Sequence, residues 1–476
     1  MIVKTSTGEV RGVREDGVCR FLGIPYAAAP FGAGRFAPPR PHDPWDGVLD
    51  TTRLGPTPPQ PPYTGGLEKV LPGVVVPGEE ILNLNIWTSA DAQARPVMVW
   101  LYGGGLTRGS NAIATYDGRA FARDGVVLVS VNYRLGAEGF SVLDDAPANL
   151  GLADQVAALR WVRDNIAAFG GDPARVTLFG QSAGGGSVAA LLAHPEAASL
   201  MAGAIVQSAP VAPGGGGDAG RITELMAADL GVARTRAAFA AVPPQELLAS
   251  QKRVAGGTAL SGGPGFGAVV GQEPVPADPG EALLAGAGTS IPLMIGCTTE
   301  ECRLWIAPTQ LKITRLHLLA ARLKLGISRR TLRLYRRNRP GASPGDLFGA
   351  LVTDLMLRVP KNNLADARAG RTWMYEFAWR SPVLGLGAAH GLEVCFVFDT
   401  LDSADAAAIA GPARPQSLAD DMHAAWVRFA TDGDPGWPEW DARRPVMTFD
   451  SPGGGVVYAP REDERLALTR RQAARR

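Results

Sequence analysis

"LFGQSAGGGS", residues 178–187, sets Ser182 between Gly180 and Gly184 in a Gly-x-Ser-x-Gly pattern. The chain holds 59 glycines, so this spacing alone carries little weight and the flanking structure decides what it means. Before it, "RVTLFG" (175–180) is a short β-rich apolar run. After it, "AGGGSVAALLAH" (183–194) begins a helical pattern despite its glycines. A strand that turns sharply into a helix lifts the serine to the tip of a strained turn. Bulky residues two positions to either side would collide with the adjoining strand and helix. The helix N-terminus beneath the hydroxyl then favours negative charge developing there.

Working outward, "PVMVWLY" (96–102) and "GVVLVSVNY" (125–133) are continuous apolar runs of the kind found in buried central strands. "ILNLNIW" (81–87) alternates as a strand, and "SIPLMIG" (290–296) and "RTWMYEFAW" (371–379) read as later strands. "LADQVAALRWVRDNIAAF" (152–169) has helical periodicity and stops at Gly170-Gly171. Strands alternating with helices predict a mostly parallel α/β sheet. The N-terminal part reads as short strands and turns followed by a Pro-rich crossing, "FAPPRPHDPWDG" (36–47) and "GPTPPQPPYTGG" (55–66). "SAPVAPGGGGDAG" (208–220) reads as a flexible turn that opens a helical insert, and no internal repeat is evident.

Hydrophobic residues make up 46% of the chain and charged residues 20%, which supports a substantial core and argues against global disorder. A net charge of +1 argues against bulk electrostatic attraction to nucleic acid or to an anionic membrane. The apolar runs are strand-length, well short of the roughly 20 residues of a membrane span. The opening "MIVKTSTGEV" lacks the apolar stretch of a signal peptide. Cys19, Cys297, Cys302 and Cys395 form no CxxC and no Cys/His metal spacing, and catalysis by a serine nucleophile needs neither metal nor cofactor. Their scarcity points to a reducing cytoplasm with free thiols. The segment 311–340 is strongly basic and helical in pattern, and reads as the solvated face of an inserted helical subdomain. A polyanion-binding patch is the sharper alternative, but no aromatic interleaving supports it.

If Ser182 is a nucleophile, it needs backbone donors, a base and an acid. "WLYGGGLTRGS" (100–110) follows a buried strand, and its glycines allow close approach to a ligand. In the α/β-hydrolase layout this loop faces the elbow, and the Ala183 N–H completes an oxyanion hole. Among five histidines, His42 precedes the serine, His194 ends its helix, His317 sits in the basic segment, and His423 lies on an amphipathic helix. His390, in the Gly-rich "LGAAHGLEVCFVFD", is the best placed base. "LMIGCTTEECRLW" (293–305) offers Glu300 and Glu301 just beyond a core strand, where α/β active sites form, and chemistry alone does not choose between them.

Together these residues resemble the type-B carboxylesterase family, which includes bacterial p-nitrobenzyl esterases and the cholinesterases. The resemblance starts at "FLGIPYAAAPFGAGRF" (21–36) and continues through "VNYRLGAEGF" (131–140). Its most specific stretch is "NLGLADQVAALRWVRDNIAAFGGDPARVTLFGQSAGG" (149–185), and "TDLMLRVP" (353–360), "HGLEVCFVF" (390–398) and "WVRFATDGDPGWPEW" (426–440) follow in family order. The resemblance implies Ser182 as nucleophile, His390 as base and Glu301, the second carboxylate of its pair, as acid. It implies Gly104, Gly105 and Ala183 as oxyanion donors, and two buried salt bridges, Arg35–Glu79 and Arg134–Asp172.

The sequence departs from the family at three points. Gln181 replaces the usual glutamate before the serine, which weakens any case for a cationic substrate. Cys302 replaces the glycine after the catalytic glutamate. Ile81 stands where a cysteine is usual, so the disulfide of secreted members cannot form. The expectation is one α/β-hydrolase domain over 1–476, with helices on both faces of the sheet and a helical insertion or lid region contained in about 209–370. Its expected reaction is hydrolysis of uncharged carboxylic esters through an acyl-enzyme, with a small-molecule ester as partner, no nucleic acid, no membrane, and a monomer or homodimer in the cytoplasm. A carbamate, amide or thioester hydrolase is the alternative within the same chemistry, and a non-catalytic adhesion module the alternative outside it.

Overall fold

The computed structural model describes residues 1–211, 219–255 and 265–473. Most of the glycine-rich turn expected at 208–220 lies outside the described residues. Among those described, 11 strands form one mixed sheet. From one edge its order is Val13–Glu15, Val18–Pro25, Asn83–Ser89, Val127–Val131, Arg95–Leu101, Gly171–Gln181, Gly203–Gln207, Leu293–Thr298, Thr372–Phe377, Pro445–Phe449 and Gly455–Tyr458. Every pairing from Val127–Val131 across to Pro445–Phe449 is parallel, and the pairings outside that block are antiparallel.

The period-two alternation of the central strands builds a core on each face. Val97, Val99 and Leu101 of one strand join Val127, Val129, Leu178 and Ile295 on one side, against Val156 and Leu159 of the helix Leu150–Asn165. Met98, Trp100 and Tyr102 point to the other side with Leu128, Phe179 and Met294, against Met422, Trp426 and Phe429 of the helix Gln416–Asp432. Strands that are apolar on both faces therefore read as unbroken apolar runs, as they do in the sequence.

The helices beyond the elbow fall into two groups separated by the core strand Leu293–Thr298. The earlier group, Ala219–Leu230, Arg236–Ala241 and Pro244–Val254, packs through Ile222, Met226, Phe239 and Leu247 onto Phe36 and Leu143. The later group includes Arg315–Lys324, Arg329–Asn338 and Pro344–Thr353, and buries Leu318, Leu332, Tyr335, Leu347 and Leu351 together. All four cysteines are buried and unpaired. Among the described residues, no helix is long and apolar enough to cross a membrane.

Both expected salt bridges are corrected by the structure. Arg35 is 4% exposed and binds Glu138 at 2.5–3.1 Å, and it also donates to the carbonyls of Ala240 and Val242. Glu79 lies exposed at the surface. A buried guanidinium is stable only with a buried carboxylate and further acceptors around it, and Glu79 supplies neither. Arg134 binds Asp154 through Nε, Nη2 and its own backbone N–H at 2.7–3.0 Å. Asp172 stands at the start of Gly171–Gln181, where it accepts from the Ala174 N–H. Arg134 follows the C-terminal end of Val127–Val131 and Asp172 stands at the N-terminal end of its strand, so the two residues lie at opposite ends of the parallel strands, upward of about 20 Å apart.

Candidate active site

Ser182 joins the strand Gly171–Gln181 to the helix Ala183–Ala193 with φ 57° and ψ −123°, a conformation an L-residue holds only when its surroundings enforce it. The enforcement is visible on both sides. Its N–H donates to the Gln207 carbonyl of the neighbouring strand at 2.9 Å, and its carbonyl accepts from the Gly186 N–H at 2.9 Å. A Cβ on Gly180 would meet Gly184 and the Leu101 carbonyl at 2.7 Å, and one on Gly184 would meet that carbonyl at 2.0 Å. The glycines of the motif are therefore required by contact between the helix, its own strand and the strand Arg95–Leu101.

That neighbouring strand runs directly into the glycine loop. Gly104 and Gly105 take φ of +116° and +63°, and Gly103 packs so closely that a Cβ there would lie 2.9 Å from the Ser182 Cβ. The Gly104 and Gly105 N–H groups make no hydrogen bond to the described residues. Ala183, the first residue of its helix, has no preceding helical carbonyl to bond to. Gly104 and Gly105 border the same cavity as Ser182, and Ala183 follows it directly in the chain.

His390 lies between Gly387 and Gly391, both at positive φ, and is 7% exposed. Its Nδ1 bonds the Glu301 Oε2, and its backbone N–H donates to the Glu301 carbonyl at 3.3 Å. Glu301, 1% exposed, takes a second hydrogen bond on Oε1 from the Thr298 N–H at 2.8 Å. Burial works against its charge, but the His390 imidazole and the nearby Lys361 ammonium prevail and hold the carboxyl below the usual range. The adjacent carboxylates are separated by geometry. Glu300 turns away to Arg303 and Arg380 at 2.8 Å and accepts from the Ala388 N–H at 3.0 Å, which fixes the loop carrying His390.

The other histidines are engaged elsewhere. His42 sits by Glu80, His194 bonds Glu273 at 2.8 Å, His317 caps its helix with Thr314, and His423 Nδ1 bonds the Val397 carbonyl with its Nε2 3.2 Å from Asp124. Ser182, His390, Glu301, Gly104 and Gly105 all border one cavity of 860 Å³.

Three partners of the site are not evident from the sequence pattern. Trp305 lies against the His390 ring at 4.9 Å between centroids. Gln181 Nε2 is 3.1 Å from His390 Nε2. Glu393, fully buried beside the pair, accepts from Ser208 Oγ at 3.3 Å and leaves Oε2 without a partner among the described residues. Burial and then the Glu301 charge push its carboxyl up to about 7. A lone carboxylate inside the apolar run "LEVCFVF" was the available signal for it.

Comparison with known proteins agrees with this geometry. A model of the carboxylesterase family matches residues 1–450. The para-nitrobenzyl esterase of Bacillus subtilis (strain 168) is 35% identical over 94% of this chain and 95% of its own. The phenmedipham hydrolase of Pseudarthrobacter oxydans is also 35% identical, over 96% of each. A solved carboxylesterase structure from Geobacillus stearothermophilus superposes with a TM-score of 0.86 at 35% identity, covering 98% of this chain and 99% of that one. A fold shared from end to end at this identity carries the reaction class with it: the chain belongs to the carboxylesterase family and is a serine-type hydrolase of carboxylic esters.

Proposed function

We propose that Ser182 is the nucleophile, His390 its base and Glu301 the acid that orients the imidazole. The Gly104, Gly105 and Ala183 N–H groups act as the oxyanion donors. The observation that carries this reading is the His390 Nδ1–Glu301 bond behind a positive-φ serine on the same cavity wall. A carboxylate on Nδ1 keeps the proton there and leaves the Nε2 lone pair to take the Ser182 hydroxyl proton. Ser182 Oγ attacks the ester carbonyl, and the oxyanion lies against the three N–H groups. His390 passes the proton to the departing alcohol. Water, deprotonated by His390, then attacks the acyl-enzyme and restores Ser182.

The cavity suits an uncharged ester. Leu304, Trp305, Val352, Met356, Leu357 and Val394 line it, and the cations Arg108 and Lys252 are matched by Asp405 and Glu301. Ile222, Gln251 and Met356 reach it from the region between the elbow and residue 370, which supports reading 209–370 as containing a lid built onto one domain spanning 1–476. Four unpaired thiols favour a reducing, cytoplasmic setting.

The test is pre-steady-state release of p-nitrophenol from p-nitrophenyl acetate. A burst equal to the enzyme concentration is expected, and Ser182→Ala should lower kcat by at least about 10⁴-fold with unchanged circular dichroism. Activity of Ser182→Ala within tenfold of the parent would rule out these roles.

A further inference from the structure

The net charge of the chain hides a strong asymmetry. Residues 311–340 contain ten Lys and Arg and no Asp or Glu, so the remainder carries a net −9. Of the ten, Lys312, Arg315, Arg322, Lys324, Arg329, Arg330, Arg333 and Arg336 have no ion-pair partner among the described residues, whereas Arg337 and Arg339 reach Asp463 and Glu464.

Apolar surface gathers in the same place. Leu311, Leu316, Leu319 and Leu323 are exposed, Leu316 by 76% and Leu323 by 63%. At about 100° per residue, positions 316, 319 and 323 of the helix Arg315–Lys324 fall within an arc of about 60°. Arg315 and Arg322 flank that stripe on one side, and His317 and Lys324 flank it on the other. Leu318, on the far side, packs into the cluster with Leu347 and Leu351, so the leucine stripe faces outward while the helix is anchored.

We propose that the helix Arg315–Lys324, with the cations of the adjoining helix Arg329–Asn338, is a docking surface for an anionic phospholipid bilayer. An outward stripe of leucines bordered by basic side chains matches the two parts of such an interface, acyl chains at the boundary and phosphates around it. A nucleic acid would use the cations but leave the leucines in water. The sequence expectation of no membrane contact rested on total charge, whereas attraction to a charged surface is set by the charge within a Debye length of it. One helix links this surface to the active-site cavity. Gly66, in a loop on the cavity wall, packs against the Pro308 carbonyl, and the helix Pro344–Thr353 that anchors Leu318 also carries Val352 into the cavity. Docking there brings the cavity close to membrane-dissolved esters.

The experiment is co-sedimentation of the purified full chain with phosphatidylcholine vesicles, with and without about 25 mol % phosphatidylglycerol. Binding is expected only with the anionic vesicles, and it should fall steeply as salt rises. Two combined variants separate the contributions, R329E/R330E/R333E/R336E and L316S/L319S/L323S. Each should lower the partition coefficient at least about tenfold while kcat on p-nitrophenyl acetate and circular dichroism stay at the parent values. Equal binding to neutral vesicles, binding insensitive to salt, or binding retained by either variant overturns the proposal. Duplex DNA bound as tightly by the leucine variant as by the parent would also overturn it, in favour of a polyanion site. Should either combined variant misfold, the salt dependence and lipid selectivity of the parent still decide.

Discussion

Gln181 donates its side-chain amide to His390 Nε2 at 3.1 Å, the lone pair that takes the proton of Ser182 in the proposed mechanism. The Glu301 carboxylate on Nδ1 fixes the tautomer, so Nε2 can only accept and the amide must be the donor. Under that proposal Ser182 and the residue before it compete for one acceptor.

Gln181→Glu removes that competition and adds a charge. A carboxylate cannot donate to neutral imidazole, and it favours imidazolium, so both changes act in the same direction. The acid limb of the kcat/KM profile should move to higher pH. The ratio of kcat/KM for acetylcholine over 3,3-dimethylbutyl acetate should rise by about 1 kcal/mol. An unchanged acid limb would mean that the amide contact does not persist in solution. A parent enzyme that already prefers the cation tenfold would point to Asp405 as a source of negative field.

Glu301→Gln and Glu300→Gln should separate chemistry from scaffolding. The first replaces the partner of His390 Nδ1 and should cost about 10³- to 10⁴-fold in kcat. The second weakens contacts to Arg303 and Arg380, both partly exposed, and should cost less than about 1 kcal/mol in stability with kcat within a few-fold. The reverse order would place the acid one residue earlier.

Two alanine substitutions in one helix should have opposite signs. Gly184→Ala drives a methyl into the Leu101 carbonyl and should lower Tm by more than about 5 °C. At Gly186 an added Cβ meets nothing, so Gly186→Ala should stabilise by up to about 1 kcal/mol. Differential scanning fluorimetry of both proteins is sufficient.

Glu393 predicts a pH dependence of stability. Its folded value is pushed up to about 7 from an ordinary 4.5, so between these limits the unfolded chain is ionised while the folded chain keeps its proton. The folded state then binds more protons, and stability falls as pH rises. The contribution is fully present below about 4.5 and lost above about 7. Glu393→Gln removes the cost of the buried charge, so at pH 8 it should be more stable than the parent by about 3 kcal/mol, with little difference at pH 4.5. Urea unfolding at the two pH values measures this, and equal differences at both would show that Glu393 is ionised in its pocket.

The strands around the site were legible because they are buried on both faces, and "PVMVWLY" was placed to within one residue at each end as Arg95–Leu101. Ser182, His390 and the Glu300–Glu301 pair stand out because each sits in a local motif, while the choice of Glu301 comes from the family resemblance, and the structure brings Ser182, His390 and Glu301 to one cavity. The ion pairs were not, because Arg35 and Arg134 take partners brought to them by the fold, Glu138 and Asp154, and those assignments came from a family pattern rather than from burial. Gln181 was noticed for the charge it lacks. Its contact with His390, 209 residues away in sequence, depends on how two loops meet, and no local pattern encodes that. The basic segment was recognised, but the outward turn of its leucines depends on which face of the helix Leu318 anchors.

The buried cysteines give the protein a clock. Cys19, Cys297, Cys302 and Cys395 lie inside, and burial pushes the last three thiols up to about 12, so the folded chain offers almost no thiolate to an alkylating reagent at neutral pH. Cys297 lies in a central strand, so alkylation there requires the sheet or its covering helices to part, whereas Cys302 and Cys395 border the active-site cavity. The rate of labelling at Cys297, resolved by mass spectrometry, then times the opening of the sheet in native buffer without denaturant.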